Sequence, residues 1–315
     1  LWDTAWFRFR GEVPREWKGR EVVARIRLTN IGREGFTAEG LIYQNGRPIR
    51  AINANRREVE IAAKAKGGET FEFFVEAAAN GGTNEAGVTM GLNMPDYDGV
   101  PRYRLEQAEL ACVNREAFDF YHDFKLALEA MAVLPEDSQR RGELRAALNE
   151  SVNRFEAEDP ATIRSARAAL RTVLRRRNGD TAHTLSAVGH AHIDTAWLWP
   201  LRETIRKCAR TFSTALDYMD RYPEYVFVCS QAQQYAWMKA YYPEIWERIK
   251  KAVRRGQWEP VGSMWIETDC NLASGESLVR QILHGKRWFQ QEPVSYTHLR
   301  AHETKANLVC RLLLE

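Results

Sequence analysis

From residue 1 to about 112 the apolar positions come in short runs broken by turn residues, which predicts strands. Val22-Val23-Ala24-Arg25-Ile26-Arg27-Leu28 alternates in its second half, and Thr70-Phe71-Glu72-Phe73-Phe74-Val75-Glu76 does so more loosely. A period of two sends successive side chains to opposite faces of a sheet. Leu41-Ile42-Tyr43 runs into Gln44-Asn45-Gly46-Arg47, and Asn-Gly supplies the two left-handed residues of a tight hairpin. Short strands with frequent turns point to an N-terminal β-sandwich. Trp2, Trp6, Phe7 and Phe9 read as core packing, with a carbohydrate platform as the alternative.

From Arg115 to Arg177 the pattern turns helical, rich in Ala, Leu, Arg and Glu. Phe118, Tyr121, Leu126, Leu128 and Met131 mark a first helix; Leu144, Leu148, Val152 and Phe155 mark a second. Asp159 before Pro160 reads as the N-cap of a third. This helical connector, about 113–180, bridges the sandwich to the C-terminal part of the chain.

A third organisation begins near Thr184. Strand Leu185–Val188 precedes a helix from Pro200 to Tyr222, whose apolar positions Leu201, Ile205, Cys208, Phe212, Leu216 and Met219 step by three and four. Strand Tyr225–Cys229 precedes helix Gln233–Arg255. Strand Glu259–Gly262 precedes a loop, and Ser274 caps a helix through Gln291. Three β-α units in succession predict a parallel sheet, either open or the first part of a β/α barrel.

Composition adds little beyond exclusions. Hydrophobic residues are 44% and charged residues 28% of 315, ordinary for a globular chain with about two domains. A net charge of +3 gives no case for nucleic acid, and the Arg171–Arg177 cluster reads as a solvated helix face. No apolar run approaches the roughly 18 residues that span a bilayer. Cys112, Cys208, Cys229, Cys270 and Cys310 lie far apart without a CxxC pair, which suits a reducing, cytoplasmic compartment.

The chemistry concentrates in Val188-Gly-His-Ala-His-Ile-Asp-Thr-Ala-Trp-Leu-Trp-Pro200. Ser186-Ala187-Val188 reads as a short buried strand. If the extended backbone continues, His190, His192 and Asp194 share one face at a strand end, a good site for a borderline metal, zinc first. Trp197 and Trp199 come directly after, in a strand-to-helix loop where α/β folds bind ligands. The plainer alternative is a core histidine beside a carboxylate that caps the next helix.

Residues 294–315 break the β-α rhythm and resemble translated adapter sequence, so 293–315 is expected to be an artefactual tail. Its His298-x-x-x-His302-Glu303 resembles a helical metal motif, and that reading is rejected with the tail.

Three ordered motifs resemble glycoside hydrolase family 38, the α-mannosidases, in the cytosolic-type branch with an N-terminal β-sandwich. They are Gly189-His-Ala-His-Ile-Asp-Thr-Ala-Trp-Leu-Trp-Pro200, Cys229-Ser-Gln-Ala-Gln-Gln-Tyr235 and Gly262-Ser-Met-Trp-Ile-Glu-Thr-Asp-Cys-Asn-Leu-Ala-Ser-Gly-Glu-Ser277. The resemblance implies that 181–292 is the first part of a seven-stranded β/α barrel, with bound Zn2+ and retaining hydrolysis of α-mannoside oligosaccharides. By the same resemblance His192 and Asp194 match zinc ligands, Trp197 lines the sugar site, and His190 stands behind the ligands. Ser230, Gln231, Glu267, Asp269 and Asn271 are weaker pocket candidates, with Asp269 and Asn271 taken as substrate-binding. Asp269 could equally cap the following helix.

A retaining glycosidase needs two carboxyl groups about 5 Å apart. In the resembled family the nucleophile, the acid/base and the last zinc ligands come after the helix that ends near Glu292. The 315 residues are therefore expected to be an inactive N-terminal fragment of an enzyme, with no nucleic-acid or membrane partner and with homo-oligomers open for the intact parent. The rival reading is a metal-dependent amidohydrolase, which also places His-x-His at the end of a first barrel strand. Asp194 two residues after His192, and the crowd of tryptophans, count against it.

Overall fold

In a computed structural model the described residues are 2–30, 38–80, 103–157, 159–177, 183, 185–196, 199–262 and 264–292. The first seven strands are β1 (Thr4–Glu12), β2 (Glu21–Asn30), β3 (Ala38–Gln44), β4 (Arg47–Ile52), β5 (Glu58–Ala62), β6 (Thr70–Ala79) and β7 (Tyr103–Val113). They form two antiparallel sheets, ordered β1-β6-β3-β4 and β5-β2-β7. The expected hairpin forms: Asn45 and Gly46 both take positive φ, 51° and 73°, between β3 and β4. Ile26, Ile42, Ile52, Phe73 and Val75 fill the space between the sheets. Phe7 and Phe9 pack against that core, while Trp6 on the opposite face leans on Tyr43 with ring centroids 5.1 Å apart.

Strand β3 breaks the inside-outside alternation because both of its faces are covered. Ile42 enters the sandwich core, and a Cβ on Gly40 would sit 2.6 Å from Val75 Cγ1, so only glycine fits between the sheets there. Leu41, facing the other way, belongs to the core of the C-terminal unit. The four-stranded sheet is thus the middle layer of three.

The helices α1 (Arg115–Val133), α2 (Gln139–Arg154) and α3 (Pro160–Leu174) pack on one another. Their starts are capped by Asn114, Ser138 and Asp159, whose side chains accept from the amides of Ala117, Arg141 and Ala161. Asp159 and Pro160 act as predicted. The inner face of α1 differs from the expected stripe. Phe120, Phe124, Ala127 and Met131 face the bundle, while Phe118, Tyr121, Leu126 and Leu128 are exposed. Val152 and Phe155 are exposed as well, leaving Leu144 and Leu148 as the α2 anchors.

The C-terminal unit holds β8 (Gly189–His190), α4 (Leu201–Arg221), β9 (Phe227–Cys229), α5 (Ala232–Tyr241), α6 (Pro243–Arg254), β10 (Trp258–Pro260) and α7 (Gly275–Gln291). The strands run parallel in the order β10-β9-β8. Two expectations need correction. Leu185–Val188 is not a buried strand: Leu185 is 92% and Val188 56% exposed, because the ladder to β9 starts only at Gly189, opposite Phe227. The single helix expected over Gln233–Arg255 is two, broken at Tyr242 (φ −137°, ψ 64°) by Pro243, which has no amide hydrogen to continue the first.

Phe212, Phe227, Tyr235, Trp246, Trp258 and Phe289 pack this unit's core. Its polar tips are satisfied: the Trp258 indole donates to the Tyr235 hydroxyl at 2.9 Å, which donates to the Cys229 carbonyl at 2.7 Å. Helix α4 buries Cys208, Phe212, Leu216 and Met219 here and lays its other side on β4 and β3. That second interface is ionic. Arg210, 3% exposed, donates to Glu39 Oε2 at 3.1 Å and to Glu203 Oε1; Lys207 Nζ reaches both Glu39 oxygens at 2.8 Å. Burial opposes the Arg210 charge, but Glu203 and Glu39 outweigh it, so its pKa rises rather than falls. The Ala51 amide donates to Thr214 Oγ1 at 3.0 Å, tying β4 to the helix.

Removing one member of a buried ion group leaves the others uncompensated, which costs about 3–5 kcal/mol. Arg210→Ala is therefore expected to lower stability by about that amount in urea unfolding. Arg8→Ala, which removes the exposed pair with Glu72, should cost less than about 1 kcal/mol. Equal losses would contradict the reading.

Candidate active site

In the loop after β8, His192 and Asp194 come together on either side of a buried Ile193. Ile193 is buried, whereas His190 and His192 are exposed and Asp194 half-buried on the other side. His192 stands between two carboxylates. Its Nε2 lies 2.7 Å from Asp194 Oδ1 and its Nδ1 2.7 Å from Glu267 Oε2. Ionised carboxylates only accept, so against two of them a doubly protonated ring satisfies both contacts. Partial burial opposes that charge, and the bonds to Asp194 and Glu267 overcome it, leaving the His192 pKa above its usual value. Ser230 Oγ donates to Glu267 Oε1, which anchors the carboxylate at the end of β9.

Buried polar side chains hold the loop from beneath. Gln231 and Gln234, at the start of α5, both donate to the Ile193 carbonyl, at 2.9 and 2.8 Å. Gln231 Oε1 accepts from Thr195 Oγ1 at 2.8 Å. In the first turn of α4, Thr204 Oγ1 accepts from the Ala196 amide and the Trp199 indole, each at 3.1 Å. The same indole lies 3.1 Å from the Asp194 carbonyl. Ala196 itself has φ +68°, a left-handed conformation that costs a residue with a Cβ about 1 kcal/mol or more. At the neighbouring strand ends Gly262 approaches Ser230 so closely that a Cβ would lie 2.6 Å from its carbonyl oxygen.

The structure thus brings together His192, Asp194, Glu267 and Ser230. His190 takes part in neither of His192's hydrogen bonds; Glu267 orients the ring instead. Gln231 is a buried support rather than a pocket wall. Asp269 is exposed and folds on its own loop, with Oδ1 accepting from the Asn271 amide at 2.8 Å. It does not cap α7, whose cap is Ser274, accepting from the Ser277 amide at 3.2 Å. Asn271 is exposed on the same loop. Trp197 lies outside the described residues, as do the tail and its histidines. Thr204 and Gln234 escaped the sequence reading, since a threonine in a helix and a glutamine in a polar run carry no distinguishing signal.

Among the described residues no group of three or more His, Cys, Asp or Glu donors is placed to hold a metal ion. One imidazole and one carboxylate do converge, with a second carboxylate behind the imidazole. Metal-bound histidines are commonly oriented in this way.

Residues 182–296 match the family model for the glycosyl hydrolases family 38 N-terminal domain, and residues 1–111 match that for the alpha-mannosidase jelly roll domain. The C-terminal unit is thus similar to the family 38 N-terminal domain and the sandwich to the alpha-mannosidase jelly roll. Over 295 residues it is 38% identical to the alpha-mannosidase 2C1 of Homo sapiens, a match covering 92% of this chain and 27% of that one. It is 36% identical to alpha-mannosidase G of Dictyostelium discoideum (92% and 26% covered) and 31% identical to the alpha-mannosidase of Saccharomyces cerevisiae (91% and 27%). The chain spans about a quarter of the length of the curated relatives it matches. The family 38 match over the segment that carries His192 and Asp194 counts against the amidohydrolase.

The His192 geometry gives a pH prediction for the metal-free chain. Its imidazole should titrate above about 6.5 by NMR, and Glu267→Gln should lower that value. Because the folded pKa is raised, the stabilisation is fully present below the unfolded value and fades as pH rises through the folded one. An unshifted His192 would count against the double carboxylate contact.

Proposed function

We propose that the chain contributes the front of a zinc-dependent, retaining α-mannosidase site that cleaves terminal α-mannosides of oligosaccharides. The observation carrying this is the His192 imidazole fixed between Asp194 and Glu267. Two zinc ligands at about 2.0–2.1 Å in tetrahedral geometry stand about 3.3 Å apart. His192 Nε2 and Asp194 Oδ1 are 2.7 Å apart, so a small opening would let a cation take the place of the shared proton. His192 and Asp194 would hold the metal, and Glu267 would fix the tautomer through Nδ1. Zinc, when bound, supplies a Lewis-acid template for sugar oxygens.

The remaining assignments rest on the family. Trp197 would stack on the sugar, Asp269 and Asn271 would hydrogen-bond its hydroxyls, and His190 would stand behind the metal ligands. We read the three parallel strands as part of a β/α barrel. Supporting this, β8 and β10 are the edges of their sheet among the described residues, and Leu272, Val279 and Leu283 are exposed on and beside α7. The two catalytic carboxyls are taken to come from further units of that barrel. A cytoplasmic setting suits the four described cysteines, which form no disulfide, and no described helix is long and apolar enough to cross a membrane.

In a catalytically complete polypeptide carrying these residues, His192→Ala should lose its bound zinc by elemental analysis and lose turnover of an aryl α-mannoside. Glu267→Gln should weaken zinc binding by about 10–100-fold. The 315-residue polypeptide alone should give no turnover. Stoichiometric zinc retained by His192→Ala would remove the metal assignment, and turnover by the short polypeptide would remove the division of the catalytic groups.

A further inference from the structure

The candidate ligands lie on a loop, His192 exposed and Asp194 half-buried, and such a loop does not hold its own geometry. What holds this one is buried. Thr204 is fully buried in the first turn of α4, and its hydroxyl serves two donors on the loop, the Ala196 amide and the Trp199 indole. Its own proton points toward the Asp194 carbonyl at 3.5 Å, at the limit of a hydrogen bond. The Asp194 carbonyl also receives the Trp199 indole. One hydroxyl therefore touches the backbone of the candidate ligand and of the residue two places on, together with the side chain that closes the loop.

Between those attachments lies Ala196, left-handed at φ +68° although glycine would take that conformation without strain. A strained alanine persists only where its surroundings over-determine it, and such positions gather at functional sites. Released from Thr204, Ala196 would relax toward negative φ and turn the backbone on either side, including the stretch that presents Asp194 to His192.

We infer that Thr204 is a positioning residue: its hydroxyl pins Ala196 in the left-handed turn that aims the Asp194 carboxylate at His192. The inference rests on the metal reading of His192 and Asp194 but concerns a residue outside that pair. It also gives α4 a task beyond packing, since the helix that carries Thr204 is clamped to the sandwich two turns later by Arg210 and Glu39.

The test uses three variants of the full 315-residue chain. Thr204→Val keeps the volume and removes the hydroxyl; Thr204→Ser keeps the hydroxyl. In the metal-free chain, hydrogen exchange at the Ala196 amide and the Trp199 indole should speed up by about tenfold or more in Thr204→Val and remain near normal in Thr204→Ser. Zn2+ titrated onto the same proteins, followed through the His192 imidazole signals, should bind about tenfold more weakly to Thr204→Val, with binding restored in Thr204→Ser. A merely structural threonine would lower the melting temperature without separating these two variants in zinc affinity, and that outcome overturns the inference. Unchanged exchange in Thr204→Val overturns it too. If Thr204→Val does not fold, Trp199→Phe removes a single donor from the same hydroxyl; zinc binding unaffected by it is again a refutation. If the unsubstituted chain, which holds only two of the expected zinc ligands, binds no measurable Zn2+, the exchange rates alone decide whether Thr204 pins the loop: faster exchange in Thr204→Val supports it and unchanged exchange refutes it.

Discussion

The arrangement depends on a guanidinium kept out of water. Arg210 lies between Glu39 of the sandwich and Glu203 of its own helix, and all three side chains are almost fully buried. Taking such charges from water costs several kcal/mol per ion, and their attraction returns that cost only when the geometry is good. The group is therefore poor as glue and effective as a register. Any sliding of α4 along β3 would separate Arg210 and Lys207 from Glu39 and leave that buried carboxylate unmatched. Hydrophobic contact alone tolerates such sliding, because it has no direction.

With its register set, α4 serves two cores at once. Cys208, Phe212, Leu216 and Met219 enter the aromatic core of the β/α unit, while Arg210, Thr214 and Asp217 meet the sandwich. The two domains consequently share a helix rather than touching across a wet boundary. At the junction the half-buried Tyr43 has its hydroxyl pKa held above the usual value, by burial first and by Glu76 second. The Tyr242 hydroxyl, at the break between α5 and α6, is pushed up to about 12, by burial first and Glu76 second.

How much of this structure is legible in the sequence depends on the range of the forces involved. Asn45-Gly46, Asp159-Pro160, Ser274 and the Cys208–Met219 part of the stripe on α4 act within a few residues and behave as their local chemistry dictates, while Leu201 at the start of that stripe is exposed. The burial of Ile193 between His192 and Asp194 is likewise local. The failures are tertiary. Nothing in Ala38-Glu-Gly-Leu-Ile-Tyr-Gln44 tells that both faces will be covered, because the second cover comes from a helix some 160 positions later. Phe118 and Leu126 look like core residues until Phe120 and Ala127 take the inner face. Leu185–Val188 has strand composition but no ladder partner. The Glu267 carboxylate stands 75 residues from His192 and becomes its neighbour because β8 and β10 flank β9 in parallel and end on the same side of the sheet.

The same division runs through the candidate site. His192 and Asp194 are exposed enough to meet a ligand, and exposure denies them packing to hold them still. Precision is supplied from the interior, where Thr204, Gln231 and Gln234 use hydrogen bonds that water cannot compete for. Two of those supports stand on α5 and one on α4, so the loop is held only while both helices keep their places. Phe212 of α4 and Tyr235 of α5, 5.7 Å apart, lock the helices together, and Arg210 locks α4 to the sandwich. The jelly roll therefore reaches the candidate ligands through a continuous run of buried contacts, from Glu39 to Arg210, along α4 to Thr204, and up to Ala196 and Asp194. In this arrangement the N-terminal domain is part of what shapes the site, although none of the site's side chains belongs to it.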